Sequence, residues 1–534
     1  MQKPTVALFG SSGTMGIKAF KGLWKRKNEF NIILLVRPSK KNKKLFRSYE
    51  KEKGIRSIPS AGVVEQNGFK IVWGDATRYE DVKETVNGAD WVLNCMALIS
   101  PTADYCQNEA YAVNTEGIQN IVTAIESEPG GPQRIKLIHT SSVATMGDRM
   151  GPIRYGRIGD PVFPSIYDYY AITKIAGERI ILESKLRYWA ILRMTFIMPT
   201  DFAKFSSLLD PILFHMPLDT CMENTTDRDA GYGLIKCLDV SENSDFWRRV
   251  YNFGGGPSMR CTGYEYLNLA LSINGISSVE DIMDRNWFAL RNFHLQLYLD
   301  SVILNDYLQF QRDTLESWKT TVIQNMPRIL QFFRTLTLKF PIVQKLVNRI
   351  TRKMMKDLAE NHRNGTRHWY INGNVKRITA FYKDLDTYES ISPWNLSRPW
   401  DTVKESEKFL LDHGYDENKN QLNMQDLHQA ANFRGGILLS EKWDGDMFKS
   451  LEWECCLSHK FTANPNTVLK TGHWCPKCAQ PPWKHNEIAK KNPYFAQVWH
   501  VMHDRNEYEL YTLEECQDIA QAHLDKKKAK FSII

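Results

Sequence analysis

The chain has 534 residues, 43% of them hydrophobic and 24% charged, with a formal net charge of +8. This composition can fill a large core and excludes wholesale disorder, and no apolar run approaches the ~18 residues of a membrane span. The charge excess is local: Arg328, Arg334, Lys339, Lys345, Arg349, Arg352, Lys353 and Lys356, with no acidic residue between the first and the last, account for all of it, so no specific nucleic-acid partner is expected.

The predicted elements begin at once. MQKPTVALFG reads as a short strand entering a glycine turn, not as a secretory leader. Thr5 to Phe9 is the first strand, followed by glycines and a helix through Trp24. Ile32 to Val36, Lys70 to Trp73, Trp91 to Cys95 and Ile135 to His139 are expected as further strands. Short apolar runs alternating with helices indicate an α/β fold, a Rossmann-type doubly wound parallel sheet. The first connection, Gly10-Ser11-Ser12-Gly13-Thr14-Met15-Gly16, has the glycine spacing for a tight turn and close approach to a diphosphate. The following helix N-terminus offers free amides to the phosphates. The plain alternative is a merely structural glycine turn. After the second strand, an acidic residue would bind ribose hydroxyls, whereas a cation would meet a 2′-phosphate. From Asn31 through Tyr49 there is no Asp or Glu, and Arg37 and Lys40 follow the strand, so NADP(H) is the expected cofactor. Lys43 and Lys44 read as a solvated helix face.

Tyr170 and Lys174 stand four residues apart in Tyr170-Ala171-Ile172-Thr173-Lys174, so phenol and ammonium share one helix face. A nearby ammonium stabilises phenolate and is expected to lower the tyrosine pKa from about 10 toward a working acid or base. Upstream, the fifth strand runs into Thr140-Ser141-Ser142-Val143-Ala144-Thr145-Met146-Gly147. Hydroxyls at a strand's carboxyl end lie where open α/β sheets bind ligands. Tyr-x-x-x-Lys alone is common by chance, and Tyr170 would then be a half-buried packing residue. In the order glycine loop, serine loop, Tyr-x-x-x-Lys, the signal is specific.

With these motifs the sequence resembles the extended short-chain dehydrogenase/reductase family, of the NAD(P)-dependent epimerase/dehydratase type, over roughly residues 4–290. The resemblance rests on GSSGTMG (10–16), GDATRYEDV (74–82), NTEGIQN (114–120), HTSSVATMG (139–147), YAITK (170–174) and VYNFGGG (250–256). It implies that Tyr170 exchanges a proton with the substrate oxygen and that Lys174 holds the nicotinamide ribose. Ser142 is implied to bond the reacting carbonyl or hydroxyl, with Ser141 or Thr140 as alternatives. Asn114 is implied to support the fourth-strand region and a proton-relay water. The implied cofactor site comprises Gly10, Ser12, Gly13, Thr14, Met15, Gly16, Arg37, Lys40, Asp75, Ala76, Met96, Ala97, Leu98 and Phe196, with Tyr170 and Lys174.

Two departures narrow the implied reaction. Dehydratases of the family carry an Asp-Glu pair after the hydroxyl, where this chain has Val143 and Ala144. The stretch Arg193-Met194-Thr195-Phe196-Ile197-Met198-Pro199 differs from the Asn-Val-Tyr-Gly-Pro of many sugar-modifying members. The next residues, DFAKFSSLLDPILFHMP, are apolar with few cations. The expectation is an NADP(H)-dependent oxidoreductase interconverting a carbonyl and an alcohol on a fairly apolar small molecule. A cofactor-recycling epimerase, an acyl thioester reductase and a non-enzymatic NADP(H)-binding redox sensor are the rivals.

Residues 1–285 are expected to form the NADP-binding domain, its substrate part mainly 195–285, and 286–430 a helical extension. Pro327 and Pro341 can open successive helices. After Pro341, the apolar Ile342, Val343, Leu346, Val347, Ile350 and Met354 recur at helical spacing, with Lys345, Arg349, Arg352, Lys353 and Lys356 largely on the other face. One reading is a helix packed on the enzyme with a solvated basic face; the other is contact with an anionic membrane or polyanion. Residues 431–534 are expected to form a zinc-ribbon or treble-clef-like domain holding structural Zn2+ through Cys455, His459, Cys475 and Cys478. Cys456 and His473 are the near competitors. The other cysteines are scattered singly and read as reduced, so a cytoplasmic or membrane-peripheral location is expected. A homo-oligomer is compatible with the sequence.

Overall fold

The structure is a computed structural model that describes residues 3–56, 61–206, 209–394, 408–507 and 509–513. Eight strands build the central sheet: β1 (Thr5–Phe9), β2 (Asn31–Val36), β3 (Gly62–Gln66), β4 (Phe69–Trp73), β5 (Trp91–Asn94), β6 (Lys136–Ser142), β7 (Tyr188–Met194) and β8 (Arg249–Phe253). Their order is β8-β7-β6-β5-β1-β2-β4-β3. All neighbours are parallel except β3, which runs antiparallel to β4 along one edge. The edge strand departs from the purely parallel expectation. Its residues are mostly exposed, so it carries none of the apolar signal that marks the buried strands.

The inner strands are apolar runs because helices cover both faces. On one side lie α1 (Thr14–Lys25), α2 (Lys40–Glu52) and, later in the chain, Asp227–Lys236; on the other lie α3 (Tyr79–Val86), α4 (Gly117–Ser127) and α5 (Tyr169–Leu182). Phe20, Leu23, Trp24 and Phe46 fill the first core, whereas Val82, Ile118, Ile121 and Ile181 fill the second. The strand order reverses at β1, between β2 and β5, so ligand space opens outside the carboxyl ends of β1 and β5.

One sequence expectation shifts here. The predicted strand Ile135 to His139 extends to Ser142, because Thr140, Ser141 and Ser142 pair with Leu192, Arg193 and Met194 of β7. The serines therefore sit on a paired strand instead of a loop. Ser142 then caps a short 3-10 turn, Val143–Met146, by accepting the N–H of Ala144 at 3.2 Å.

The later residues wrap around this domain. Met198, Phe214, Met222, Trp287 and Trp318 form a core for the substrate part. Two helices, α6 (Arg328–Lys339) and α7 (Pro341–Glu360), follow as adjacent elements, Pro341 opening the second. Strands Leu451–Glu454 and Lys460–Ala463 pair in the C-terminal region. That region does not stand apart: Trp453, Trp474 and Trp483 share one core with Phe163, Tyr167 and Ile172 of the N-terminal half and with Trp369 and Phe381 of the extension.

Candidate functional site

Three neighbouring strand ends set the site. β1 ends in the glycine turn, β5 in Cys95 to Leu98, and β6 in Ser142. Parallel neighbours are spaced by about 4.8 Å, so the β6 end lies about 10 Å from the glycine turn.

Beside β6, α5 begins with Asp168 as its N-cap, whose carboxylate accepts the N–H of Ala171 at 2.9 Å. Tyr170 and Lys174 follow, both buried. The Ser142 hydroxyl neighbours the Tyr170 phenol, and Lys174 Nζ donates to the Thr140 carbonyl at 2.7 Å. Burial pushes the phenol above its ordinary pKa; the neighbouring Ser142 hydroxyl opposes this, and the Asp168 and Asp104 carboxylates add to it. Burial pushes Lys174 down to about 8, with Glu178 partly offsetting it. The expected acidification of the phenol is thus corrected: desolvation of the ring outweighs any help from the ammonium.

Of the predicted cofactor residues, those of the glycine turn and Met96 to Leu98 lie at the other two strand ends. Gly10 has φ +82°, and a Cβ there would stand 2.7 Å from the Cys95 and Met96 backbone. A Cβ on Gly16 would stand 2.0 Å from the Gly10 carbonyl oxygen. With Gly13 at the N-cap there is no side-chain cap on α1, leaving its first amides open to a phosphate, and the Ser11 hydroxyl is buried without a partner. Ser12, Thr14 and Met15 complete this turn. These features fit a dinucleotide's diphosphate. Lys204, which the sequence reading passed over, donates to the Gly13 carbonyl at 3.3 Å, and Lys18 contacts Thr200 at 3.1 Å and Asp227 at 3.6 Å. Arg37 and Lys40 are exposed after β2, on either side of Ser39, which caps α2. The Asp75 carboxylate accepts from Thr77, and the Ala76 carbonyl accepts from Asn120 at 2.9 Å. Met96, Ala97 and Leu98 are half-buried at the end of β5, and Phe196 is half-buried with its ring edge-on to Tyr266. Asn114 lies farther in: its amide donates to Leu98 O at 2.8 Å and Thr173 Oγ1 at 3.0 Å, and its Oδ1 accepts from Leu98 N. It ties the β5 end to α5, and both of its N–H donors are taken.

At the N-terminal end of α5 lies a cavity of about 60 Å³, lined among others by Asp104, Asp168, Asn292, His294, Asn364 and Arg377. Asp104 accepts the N–H groups of Tyr169 and Tyr170 at 3.1 and 3.3 Å. Burial, and then the charge of Asp168, raises the Asp104 carboxyl well above its ordinary pKa. Burial alone would lower His294, but its ion pair with Asp168 more than compensates and raises it. Sequence reasoning missed this cluster, although Asp168 ahead of a helix is a legible N-cap signal. The cavity is also more polar than the apolar run after Pro199 suggested. Arg377 and Asn364 come from the distant extension, and their contribution has no local signature.

Far along the chain, Cys455, His459, Cys475 and Cys478 converge, their ligand atoms all within 4.8 Å of one another. Cys455 Sγ to Cys478 Sγ, and His459 Nδ1 to Cys475 Sγ and to Cys478 Sγ, are each 3.6 Å. A tetrahedron of that edge has its centre about 2.2 Å from each corner, between the ordinary Zn–N and Zn–S lengths. The donor set therefore fits a small metal-binding unit. The two competitors are elsewhere engaged or aside: Cys456 is outside the cluster, and His473 Nε2 lies 2.8 Å from the Glu178 carboxylate on α5.

Residues 6–203 match the model of the NAD dependent epimerase/dehydratase family. No curated protein matches the chain. Among solved structures it is similar to dTDP-glucose 4,6-dehydratase of Bacillus anthracis str. Ames in complex with NAD, at 15% identity over 60% of this chain and 96% of that one, TM-score 0.44. A second is dTDP-4-dehydrorhamnose reductase of the same organism in complex with NADP, at 16% identity over 61% and 98%, TM-score 0.40. A third is a short-chain dehydrogenase/reductase superfamily protein from Agrobacterium tumefaciens with bound NAD, at 16% identity over 62% and 99%, TM-score 0.42.

Proposed function

We propose that the protein is an NADP(H)-dependent oxidoreductase that interconverts a carbonyl and an alcohol on a small molecule. The observation that carries this reading is the buried Tyr170 phenol beside the Ser142 hydroxyl at the end of β6, with Lys174 one helical turn along α5 and its Nζ on the Thr140 carbonyl of the same strand end. The family match over residues 6–203 supports a dinucleotide enzyme, and the exposed Arg37 and Lys40 after β2 support the 2′-phosphate form.

A bound dinucleotide, held by the glycine turn, would supply the hydride. Tyr170, a phenol already protonated at neutral pH and pushed further up by its burial, gives its proton to the substrate oxygen, which favours reduction. Ser142 offers that oxygen a hydrogen bond, and the bond from the Ala144 N–H holds the Ser142 hydroxyl in place. Lys174 is fixed by the Thr140 carbonyl at the same strand end, where it can hold a ribose hydroxyl. Tyr170→Phe is expected to lower turnover by about 10²–10⁴-fold while NADPH still quenches protein fluorescence. Normal turnover by that variant would refute the assignment.

The cavity at the N-terminal end of α5, lined by Asp104, Asp168, Asn292 and His294, favours a second reading, a cofactor-recycling epimerase of a hydroxylated substrate. Net NADPH oxidation over a panel of ketones, aldehydes and acyl thioesters separates the two, because an epimerase leaves its cofactor unchanged. Zinc is the ion we assign to the Cys455, His459, Cys475 and Cys478 cluster, in a structural role, since all four positions are protein ligands.

A further inference from the structure

No helix among the described residues is long and apolar enough to cross a membrane, yet of the 23 exposed large apolar side chains among those residues ten lie between Ile329 and Met354. The two helices that carry them bury only a narrow inner stripe. On α7, Val347, Met355, Leu358 and Ala359 pack in or against the substrate-part core, and Val343 is half-buried. Ile342, Leu346, Ile350 and Met354, spaced four apart along the adjoining outer face, are 48–84% exposed. Phe332 and Phe333 on α6 are 57% and 55% exposed. The apolar repeat read from the sequence as one face is therefore two, and the outer one has no cover.

A basic row runs beside it. Lys345, Arg349 and Lys353 are exposed, follow the same four-residue step, and have no acidic partner among the described residues. Arg352 and Lys356 are the exceptions, paired with Asp284 at 2.7 Å and with Glu360 at 3.8 Å. Between Arg328 and Lys356 there is no acidic residue at all. A second copy of the chain brought symmetrically onto this face would set lysine rows against lysine rows. The geometry points to a different occupant: we propose that α6 and α7 dock the protein on the surface of an anionic lipid bilayer. The outer apolar row and the two phenylalanines enter the headgroup–acyl boundary while the lysines and arginines meet anionic headgroups. The inner side of α7 packs beside the turn Pro211–His215, whose Ile212 and His215 line the cavity at α5, so the docked surface lies close to that cavity.

The experiment is co-sedimentation of the full chain with phosphatidylcholine vesicles, with and without about one third phosphatidylserine. The wild type is expected to sediment with the anionic vesicles about tenfold more than with neutral ones and to be released by high salt. Leu346→Glu/Ile350→Glu and Lys345→Glu/Arg349→Glu are each expected to lose about tenfold of that binding, with cooperative melting and NADPH binding unchanged as the control for folding. Equal binding to both vesicle types, wild-type protein left in the supernatant, or variants that sediment like the wild type would overturn the proposal. So would a wild-type dimer that ignores vesicles and is split by Leu346→Glu/Ile350→Glu, which would put a second copy on this face. Vesicle binding is read without turnover, so the oxidoreductase reading can fail and leave this result standing.

Discussion

Burial decides the protonation of the acid–base groups around Tyr170. The phenol is held protonated, Lys174 is drawn down to about 8, and the Asp104 carboxyl is drawn up beside Asp168. The Asp104 effect has a sign that can be measured. An unfolded aspartate loses its proton near pH 3.9, whereas the folded carboxyl keeps it to higher pH, so the unfolded state binds fewer protons between the two values. Stability from this group therefore falls as pH rises through that window. Asp104→Asn, which keeps a carbonyl oxygen for the N–H groups of Tyr169 and Tyr170, is expected to raise the melting temperature at about pH 8 and to change it little at about pH 4. A variant equally stabilised or destabilised at both pH values would show that Asp104 carries no buried charge. Tyr170, Lys174 and Ser142 were legible in the sequence because spacing along one helix, and position at one strand end, are local properties. Asp104 and His294 were not, since only the fold brings positions 104, 168 and 294 together.

The helix α5 works on two sides. One side carries Tyr170 and Lys174; the other is covered by the metal-cluster region. Arg179 donates to the carbonyls of Trp474 and Thr462 at 2.7 and 2.8 Å, and the Asn464 amide donates to the Leu182 carbonyl at 2.8 Å. Between the sides sits Glu178, fully buried, bridging Arg193 of β7 at 2.8 Å and His473 at 2.8 Å. Burial would raise this carboxyl, but Arg193 and His473 hold it well below the usual range. Glu178→Gln leaves the Arg193 guanidinium, itself fully buried, without a counter-charge, which is expected to cost about 3–5 kcal/mol in urea unfolding. A loss under about 1 kcal/mol would mean that the Arg193 bonds to Thr471 and Met146 suffice. At this scale the sequence pattern showed that α7 is a helix and that its lysines and apolar residues segregate. It did not show which apolar row faces the protein, because Val343/Val347 and Ile342/Leu346 have the same hydrophobicity and adjacent angles.

For the molecule as a whole, the C-terminal cluster is tied to the N-terminal half through a shared core. Cys475, Cys478 and Trp474 pack in one apolar unit with Phe163, Tyr167 and Ile172. Metal removal should therefore be felt throughout. Dialysis against a strong chelator is expected to lower the melting temperature of the entire chain in a single calorimetric transition, and zinc to restore it. A separate low-temperature transition that leaves the main one in place would show that the cluster folds on its own.

By itself the sequence determined the alternation of strand and helix, the glycine turn, the Tyr170–Lys174 spacing and the two Cys/His pairs, all set by contacts within a few residues or by strict periodicity. The tertiary structure alone decided the antiparallel edge strand, the union of Asp104, Asp168 and His294, the docking of His473 on Glu178 and the uncovered apolar row of α7. Each of those depends on which distant surface excludes water from a group, and that is a property of the assembled chain.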